Sequence, residues 1–218
     1  MNANTLTTHT IDIQDRIEEI NDRLDEIEER KEEVKQEVAE AIGPDGGEND
    51  IPSDLEDDWD DLDDEEVDLT GELKKFQNVK KTWGNEEVDA DGEGTGNYTC
   101  QWTVRELSFG QLQAVSDDMM EESFDVDVER GNVTGTPKQG YYQIELLREA
   151  IREGPPGAPT RTVKMGTVER EQPAPADYPF RIGEWLFDTV DAINTTGDTE
   201  MGNSSLSEAM KLSDSGRN

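Results

Sequence analysis

Apolar side chains recur at alternating spacings of four and three residues between Ile11 and Ile42, in a stretch whose other positions are mostly charged. Eight of the nine positions in the stripe are apolar, and Lys31 is the exception: Ile13, Ile17, Ile20, Leu24, Ile27, Lys31, Val34, Val38 and Ala41. This period is typical of a helix with one apolar face, and Gly43 followed by Pro44 is a helix-ending pair. The pattern predicts a helix of about thirty residues, roughly 45 Å long at ~1.5 Å per residue.

A helix with so narrow an apolar stripe gains most of its stability by burying that stripe. Ile or Leu at one heptad position and Ile at the other favours three or four strands over two. We therefore expect residues 1–43 to form a coiled coil with other copies of the chain, as a trimer or tetramer. Its contacts would be Ile13, Ile17, Ile20, Leu24, Ile27, Lys31, Val34 and Val38. The alternative is that the helix folds back on the chain's own globular domain.

The next segment, residues 44–83, is strongly acidic at its start. Between Pro44 and Thr70 there are 14 acidic residues and no basic one, a composition typical of a solvated linker. The spacing of four and three nevertheless continues through Leu55, Trp59, Leu62, Leu69, Leu73 and Phe76, which indicates a possible second amphipathic helix. One hypothesis is that Leu55, Trp59 and Leu62 bind a partner protein, with Trp59 as the anchor. The other is a plain acidic linker with one isolated aromatic residue.

Residues 84–97 are rich in Gly, Asp and Asn, which predicts a loop and a domain boundary. Asp89, Asp91 and Glu93 stand there at positions 1, 3 and 5 of a calcium-loop pattern. Position 12 of that pattern should be Glu and is Cys100. The three acidic residues are therefore weak metal candidates, and we expect no cofactor.

From Tyr98 onward the pattern predicts a small, mostly helical α+β domain, residues 98–196, and a flexible tail, residues 197–218. Apolar side chains alternate with polar ones from Tyr98 to Val104, as in a strand with one buried face. Three segments with helical spacing follow, separated by a short strand and turn and by an extended, Pro-rich connection. The fold class predicted for the whole chain is mainly α, with a long N-terminal coiled-coil helix.

The chain has 54 acidic and 20 basic residues, a net charge of −34, and only 31% hydrophobic residues. Such a charge repels phosphates, so we expect neither nucleic acid nor an anionic membrane as a partner. Acidity of this degree is typical of disordered chains or of proteins from salt-loving cells. Because the carboxylates also occupy the polar faces of clearly periodic segments, we favour a folded halophilic protein, from an archaeon or its virus.

Residues that would carry out catalysis are scarce. His9, the only histidine, lies in a polar N-terminal stretch, and no phosphate-binding loop or nucleophile motif occurs. Cys100 is the only cysteine, which excludes an internal disulfide, and its place on the apolar side of a predicted strand indicates an inert thiol. No apolar run is long enough to cross a bilayer. We expect a soluble protein that is not an enzyme.

Two stretches suggest a family. The segment CQWTVRELSFGQLQAV reads as a strand leading into a helix, and DYPFRIGEWLFDTVDAIN reads as a final helix after a Pro-rich break. In these features residues 98–194 resemble the tail assembly chaperones of tailed viruses. The resemblance implies a protein without catalytic residues, in the virion or the host cytoplasm, that binds tape-measure and tail-tube proteins. The long N-terminal helix departs from the small form of that family and leaves open a permanent virion component.

Three functions therefore stand as hypotheses. The first is an assembly or structural protein of a halophilic tailed virus, binding tail-tube, tape-measure or head–tail proteins. The second is a cellular coiled-coil adaptor that binds a basic partner through the acidic segment around Trp59. The third is a calcium-dependent binding module.

Overall fold

The computed structural model describes residues 7–43, 51–127, 132–135, 138–165 and 168–195. The helices in these ranges are α1 (Ile13–Ile42), α2 (Ser53–Trp83), α3 (Phe109–Ser123), α4 (Gln139–Ala150) and α5 (Phe180–Thr195). The strands are β1 (Thr8–Asp12), β2 (Asn85–Val88), β3 (Gly94–Thr99), β4 (Gln101–Arg105), β5 (Phe124–Asp127), β6 (Asn132–Gly135), β7 (Ile151–Glu153), β8 (Thr160–Met165) and β9 (Val168–Pro173). The prediction of a mainly helical chain with a long N-terminal helix is confirmed.

The chain divides into two compact units. The first, here called the hairpin unit, contains residues 12–101 and 155–157. The second, the α+β unit, contains the described residues of 1–11, 102–154 and 158–218. The predicted segments 1–43, 44–83 and 84–97 thus contribute mainly to one unit.

Helix α1 begins and ends where the sequence provides capping groups. The Asp12 carboxylate accepts a 2.9 Å hydrogen bond from the Gln14 amide, a typical N-cap contact. At the other end Gly43 has a positive φ of 65°, and its amide donates to the Ala39 carbonyl. Ile51 and Pro52 then lead directly into α2.

Helices α1 and α2 form an antiparallel hairpin. Ion pairs join residue 16 to 72, 23 to 65 and 30 to 58, so the numbering rises on one helix as it falls on the other. At the base of the hairpin the buried side chains are Ile13, Ile17, Ile20, Phe76, Val79 and Trp83. Their burial supplies the hydrophobic stabilisation that a single helix lacks.

Residues 84–97 differ from the predicted loop, because most of them form a β-hairpin. Strands β2 and β3 pair antiparallel, with Asn85 opposite Thr99 and Val88 opposite Gly94. The turn between them includes Gly92 at φ 83°, a conformation that glycine adopts readily and that residues with a Cβ disfavour. All four residues of β2 are exposed, so this ribbon has no apolar alternation by which the sequence could reveal it.

The α+β unit is built on a three-stranded sheet in the order β1-β4-β7. Its core contains Trp102, Val104, Leu146, Leu147, Ile182, Leu186 and Val190, all buried. The rings of Trp102 and Trp185 meet edge to face at 5.9 Å between centroids. The unit also contains two β-hairpins, β5-β6 and β8-β9. Hairpin β8-β9 occupies the segment that was predicted as an extended connection.

Candidate partner-binding surface on the helical hairpin

The predicted oligomerisation stripe lies against α2 of the same chain. Six of its eight residues are buried, namely Ile13, Ile17, Ile20, Ile27, Lys31 and Val34, while Leu24 and Val38 are partly exposed. The second amphipathic pattern, in α2, supplies the apolar surface that the first one needs. Binding of other copies through this stripe stays a prediction, but burial of the stripe no longer requires another copy.

One side of the seam between α1 and α2 carries a ladder of arginine ion pairs. Its three rungs are Arg16 to Glu72 at 2.9 Å, Arg23 to Glu65 at 2.7 and 2.9 Å, and Arg30 to Asp58 at 3.3 Å. Each arginine also donates to the glutamate three residues later on its own helix. The arginines are seven residues apart, as are their partners, so every second turn of one helix is tied to the other.

Lys31 occupies the seam itself and is held by α2. Its ammonium group donates to Asp63 and, at 2.5 Å, to Glu66. The hydrogen bond to Asp63, followed by the one to Glu66, raises the pKa of Lys31 above its usual value. The same ammonium lies 5.4 Å from the centroid of the Trp59 ring, within the range of a cation–π contact.

The predicted partner-binding residues Leu55, Trp59 and Leu62 lie in the half of α2 that precedes Thr70, and all three are partly exposed. Lys35 also lies over Trp59, at 5.6 Å from the ring centroid. Trp59 is therefore part of the hairpin packing and still offers some of its surface to a partner.

The other side of the seam contains cavities. One of about 420 Å³ is lined by Val38, Ile51, Leu55 and Trp59 among others, near the end of the hairpin farthest from the β-ribbon. A second, of about 440 Å³, shares Lys35 and Trp59 with the first and continues along Leu24, Lys31, Glu66 and Thr70. A third, of about 400 Å³, lies at the base between Gln14, Ile17, Gln77, Lys80 and Tyr98. We call this side of the hairpin the open groove.

Charge is distributed unevenly along the hairpin. Between Ser53 and Glu72, α2 has twelve acidic residues and no basic one, whereas its last turns contain Lys74, Lys75, Lys80 and Lys81. The end near Trp59 is therefore strongly negative and the base is not. Such a field attracts cationic side chains and repels acidic surfaces.

The calcium candidates Asp89, Asp91 and Glu93 form the turn between β2 and β3. The Asp89 carboxylate accepts hydrogen bonds from the amides of Asp91 and Glu93, both at 2.9 Å. Among the residues that the structure describes, no three His, Cys, Asp or Glu side chains are grouped as a metal site would require.

Neither Cys100 nor His9 is among the residues that line the three cavities. Cys100 is completely buried, and burial, followed by the nearby Asp12 carboxylate, raises the pKa of its thiol to about 12. A thiol with that pKa is protonated at neutral pH and a poor nucleophile. His9 contacts Glu106 at 3.1 Å in the α+β unit.

The arginine ladder and the open groove were missed by the sequence interpretation. The signal for the ladder was present, since Arg16, Arg23 and Arg30 share one heptad position and α2 places acidic residues at the same interval. An antiparallel pairing of the two stripes would have matched them. The groove could not be found this way, because it depends on which side of the seam remains uncovered.

Comparison of the chain with family models, with curated proteins and with solved structures found no match. None of the helices in the described ranges is long and apolar enough to span a membrane.

Proposed function

We propose that this chain is a non-enzymatic assembly protein of a halophilic tailed virus that binds other tail or head proteins through its helical hairpin. The observation that carries the proposal is the open groove. A two-helix seam with cavities along one side and partly exposed Leu24, Val38, Leu55 and Trp59 is suited to bind a further helix.

The viral class comes from the resemblance of residues 98–194 to tail assembly chaperones. The order of elements supports it, with strand β4 leading into α3, then α4, a Pro-rich stretch and α5. In this proposal the α+β unit takes the part of the chaperone-like domain, and the hairpin is an addition that contacts an elongated structural protein.

The test is affinity purification of the tagged full chain from cells that produce it, in molar KCl, with mass spectrometry of the bound proteins. A tagged acidic protein of similar charge is the control for non-specific binding of basic proteins. We expect tail-tube, tape-measure or head–tail proteins well above the control. Recovery of nothing above the control would contradict the proposal.

A cellular adaptor is the second candidate, and the position of Trp59 favours it. Trp59 lies in the most acidic part of the hairpin with some surface exposed, as the anchor of a basic partner would. The same purification separates the two candidates. Selective recovery of host proteins, with no viral structural protein, would favour the adaptor.

A further inference from the structure

We propose that the open groove is the docking site for a basic, amphipathic helix of another protein. This inference rests on the proposed assembly function and deepens it, because it names the chemistry of the partner and the surface that receives it. It is carried by three properties of the hairpin: the two unlike sides of its seam, the partly exposed apolar side chains in the groove and the charge around them.

The two sides of the seam differ in what connects the helices. On one side, three arginines at the same position of successive heptads donate to carboxylates of α2. On the other side, the three cavities follow the helices from Gln14 and Lys80 at the base to Val38 and Ile51 at the far end. At ~1.5 Å per residue the distance from Gln14 to Val38 is about 36 Å, the length of a helix of about 24 residues.

The apolar side chains in the groove are incompletely covered, and most of them line the cavity at the far end of the hairpin. The two cavities on the Trp59 side of the base, here called the distal cavities, are lined in part by Leu24, Val38, Leu55 and Trp59, which are only partly buried. Ile20 and Ile27 face α2 more directly and are almost wholly buried. Two helices alone leave one flank of their seam accessible, and a third helix packed along it would complete a three-helix arrangement.

The charge around the distal cavities selects a cationic occupant. Lys31 is engaged by Asp63 and Glu66, and Lys35 by Glu32. Four further acidic side chains line the cavities without a cationic partner among the described residues: Asp25, Glu28, Glu56 and Asp60. Lys or Arg residues beside the apolar stripe of a docked helix would meet these carboxylates.

The same charge disfavours occupants from this chain. A second copy would bring another acidic hairpin against the first, which like-charge repulsion opposes. Residues 196–218 have four acidic and two basic residues, so their charge does not complement the groove either. Lys80 and Lys81 line the basal cavity and would repel cations there. We therefore expect the basic residues of the partner helix in the part that lies beside Trp59.

The probe for this site is a synthetic 24-residue helical peptide with Leu at both core heptad positions throughout and Lys or Arg at the flanking positions of one half only. The comparison peptide keeps every Leu and has Glu at the flanks. Binding to the full chain is measured by calorimetry in 0.5 M KCl, where the screening length is about 4 Å and only nearby charges matter. We expect 1:1 binding of the cationic peptide and at least a tenfold weaker affinity for the acidic one.

Charge reversal on the groove locates the binding. The double variant Glu28→Lys, Glu56→Lys changes two exposed residues that line the groove. The matched control Glu29→Lys, Asp57→Lys changes the next residue on each helix, also exposed and with the same change in net charge. We expect the groove variant to bind the peptide at least tenfold more weakly and the control less than threefold, with unchanged helical circular dichroism in both.

Several results would overturn the inference. Equal weakening by the two variants would mean that the peptide responds to total charge and not to the groove. If the acidic peptide binds as tightly as the cationic one, the groove does not select a cationic helix. If the chain alone is a dimer and the peptide leaves its mass unchanged, the groove is not the docking site of a helix from another protein. If the groove variant recovers viral structural proteins from cells as well as the unaltered chain does, the assembly function stands and the groove is not its binding site.

Discussion

Replacing Ile27 by alanine tests whether the N-terminal stripe is packed in the core of the hairpin, and the dependence of unfolding on protein concentration tests whether that packing lies within one chain. Ile27 is 1% exposed and lies in the middle of α1, where it faces α2. Removal of a buried isoleucine side chain to Cβ costs about 2–5 kcal/mol in protein cores. Because a two-helix seam can close partly over the cavity, we expect a loss of about 3 kcal/mol in the free energy of unfolding.

The assay is urea unfolding of the full chain in 2 M KCl, followed by circular dichroism at 222 nm, a signal to which the two long helices contribute strongly. With a dependence on urea of about 2 kcal/mol per molar, the midpoint should fall by roughly 1.5 M. The control is Val67→Ala, at an α2 side chain that is 71% exposed, and its effect should stay within about 0.5 kcal/mol.

Protein concentration decides between the two arrangements. For packing within one chain, the midpoint of the unaltered protein should be the same over a hundredfold range of concentration. If the stripe bound another copy, that range would change the free energy by about 2.7 kcal/mol, which moves the midpoint by more than 1 M. A midpoint that rises with concentration, or an Ile27→Ala chain as stable as the unaltered one, would refute the intramolecular seam.

Four further predictions concern charge, the thiol and two glycines. Raising KCl from 0.1 to 2 M should increase the thermal midpoint in scanning calorimetry by roughly 10 °C, because salt screens the repulsion within a chain of charge −34. A lower midpoint in 2 M KCl would contradict the halophilic interpretation. Cys100, whose pKa is raised to about 12, should resist a thiol reagent at pH 8 until urea unfolds the chain, and rapid labelling of the folded protein would show that the thiol is accessible. Gly71→Ala, inside α2 with open space around its Cβ, should stabilise the chain by about 0.5–1 kcal/mol in urea unfolding. Gly157→Ala should destabilise it by about 1–3 kcal/mol, because the new Cβ would lie 2.5 Å from the Thr82 carbonyl oxygen, and the same sign for both glycines would contradict this packing.

The helices were predictable because their apolar spacing is regular over many turns. The pattern from Ile13 to Ile42 predicts α1, and the weaker pattern from Leu55 to Phe76 predicts most of α2. Their mutual packing was not predicted, because two stripes with the same spacing can pair with each other or with copies of themselves. The connection after Gly43 is short enough for α2 to return along α1. A short connection favours pairing of the two helices within one chain.

The ribbons could not be predicted from periodicity. Strand β2 is exposed throughout, and β9 is exposed over its first four residues, so neither alternates between an apolar and a polar side. Pairing in β8-β9 extends from Thr160 opposite Pro173 to Met165 opposite Val168, although the sequence there reads as extended and Pro-rich. For the candidate site, Trp59 was identified by its unusual surroundings, but its contacts with Lys31 and Lys35 depend on the fold.

The few basic residues of α1 are concentrated on the side that faces α2. All five of its basic residues, Arg16, Arg23, Arg30, Lys31 and Lys35, contact α2 or its carboxylates or lie over Trp59. The remaining polar positions of α1 are mostly acidic and face solvent. Cations are therefore concentrated where they join the two helices, and the outer surface is left to exposed carboxylates.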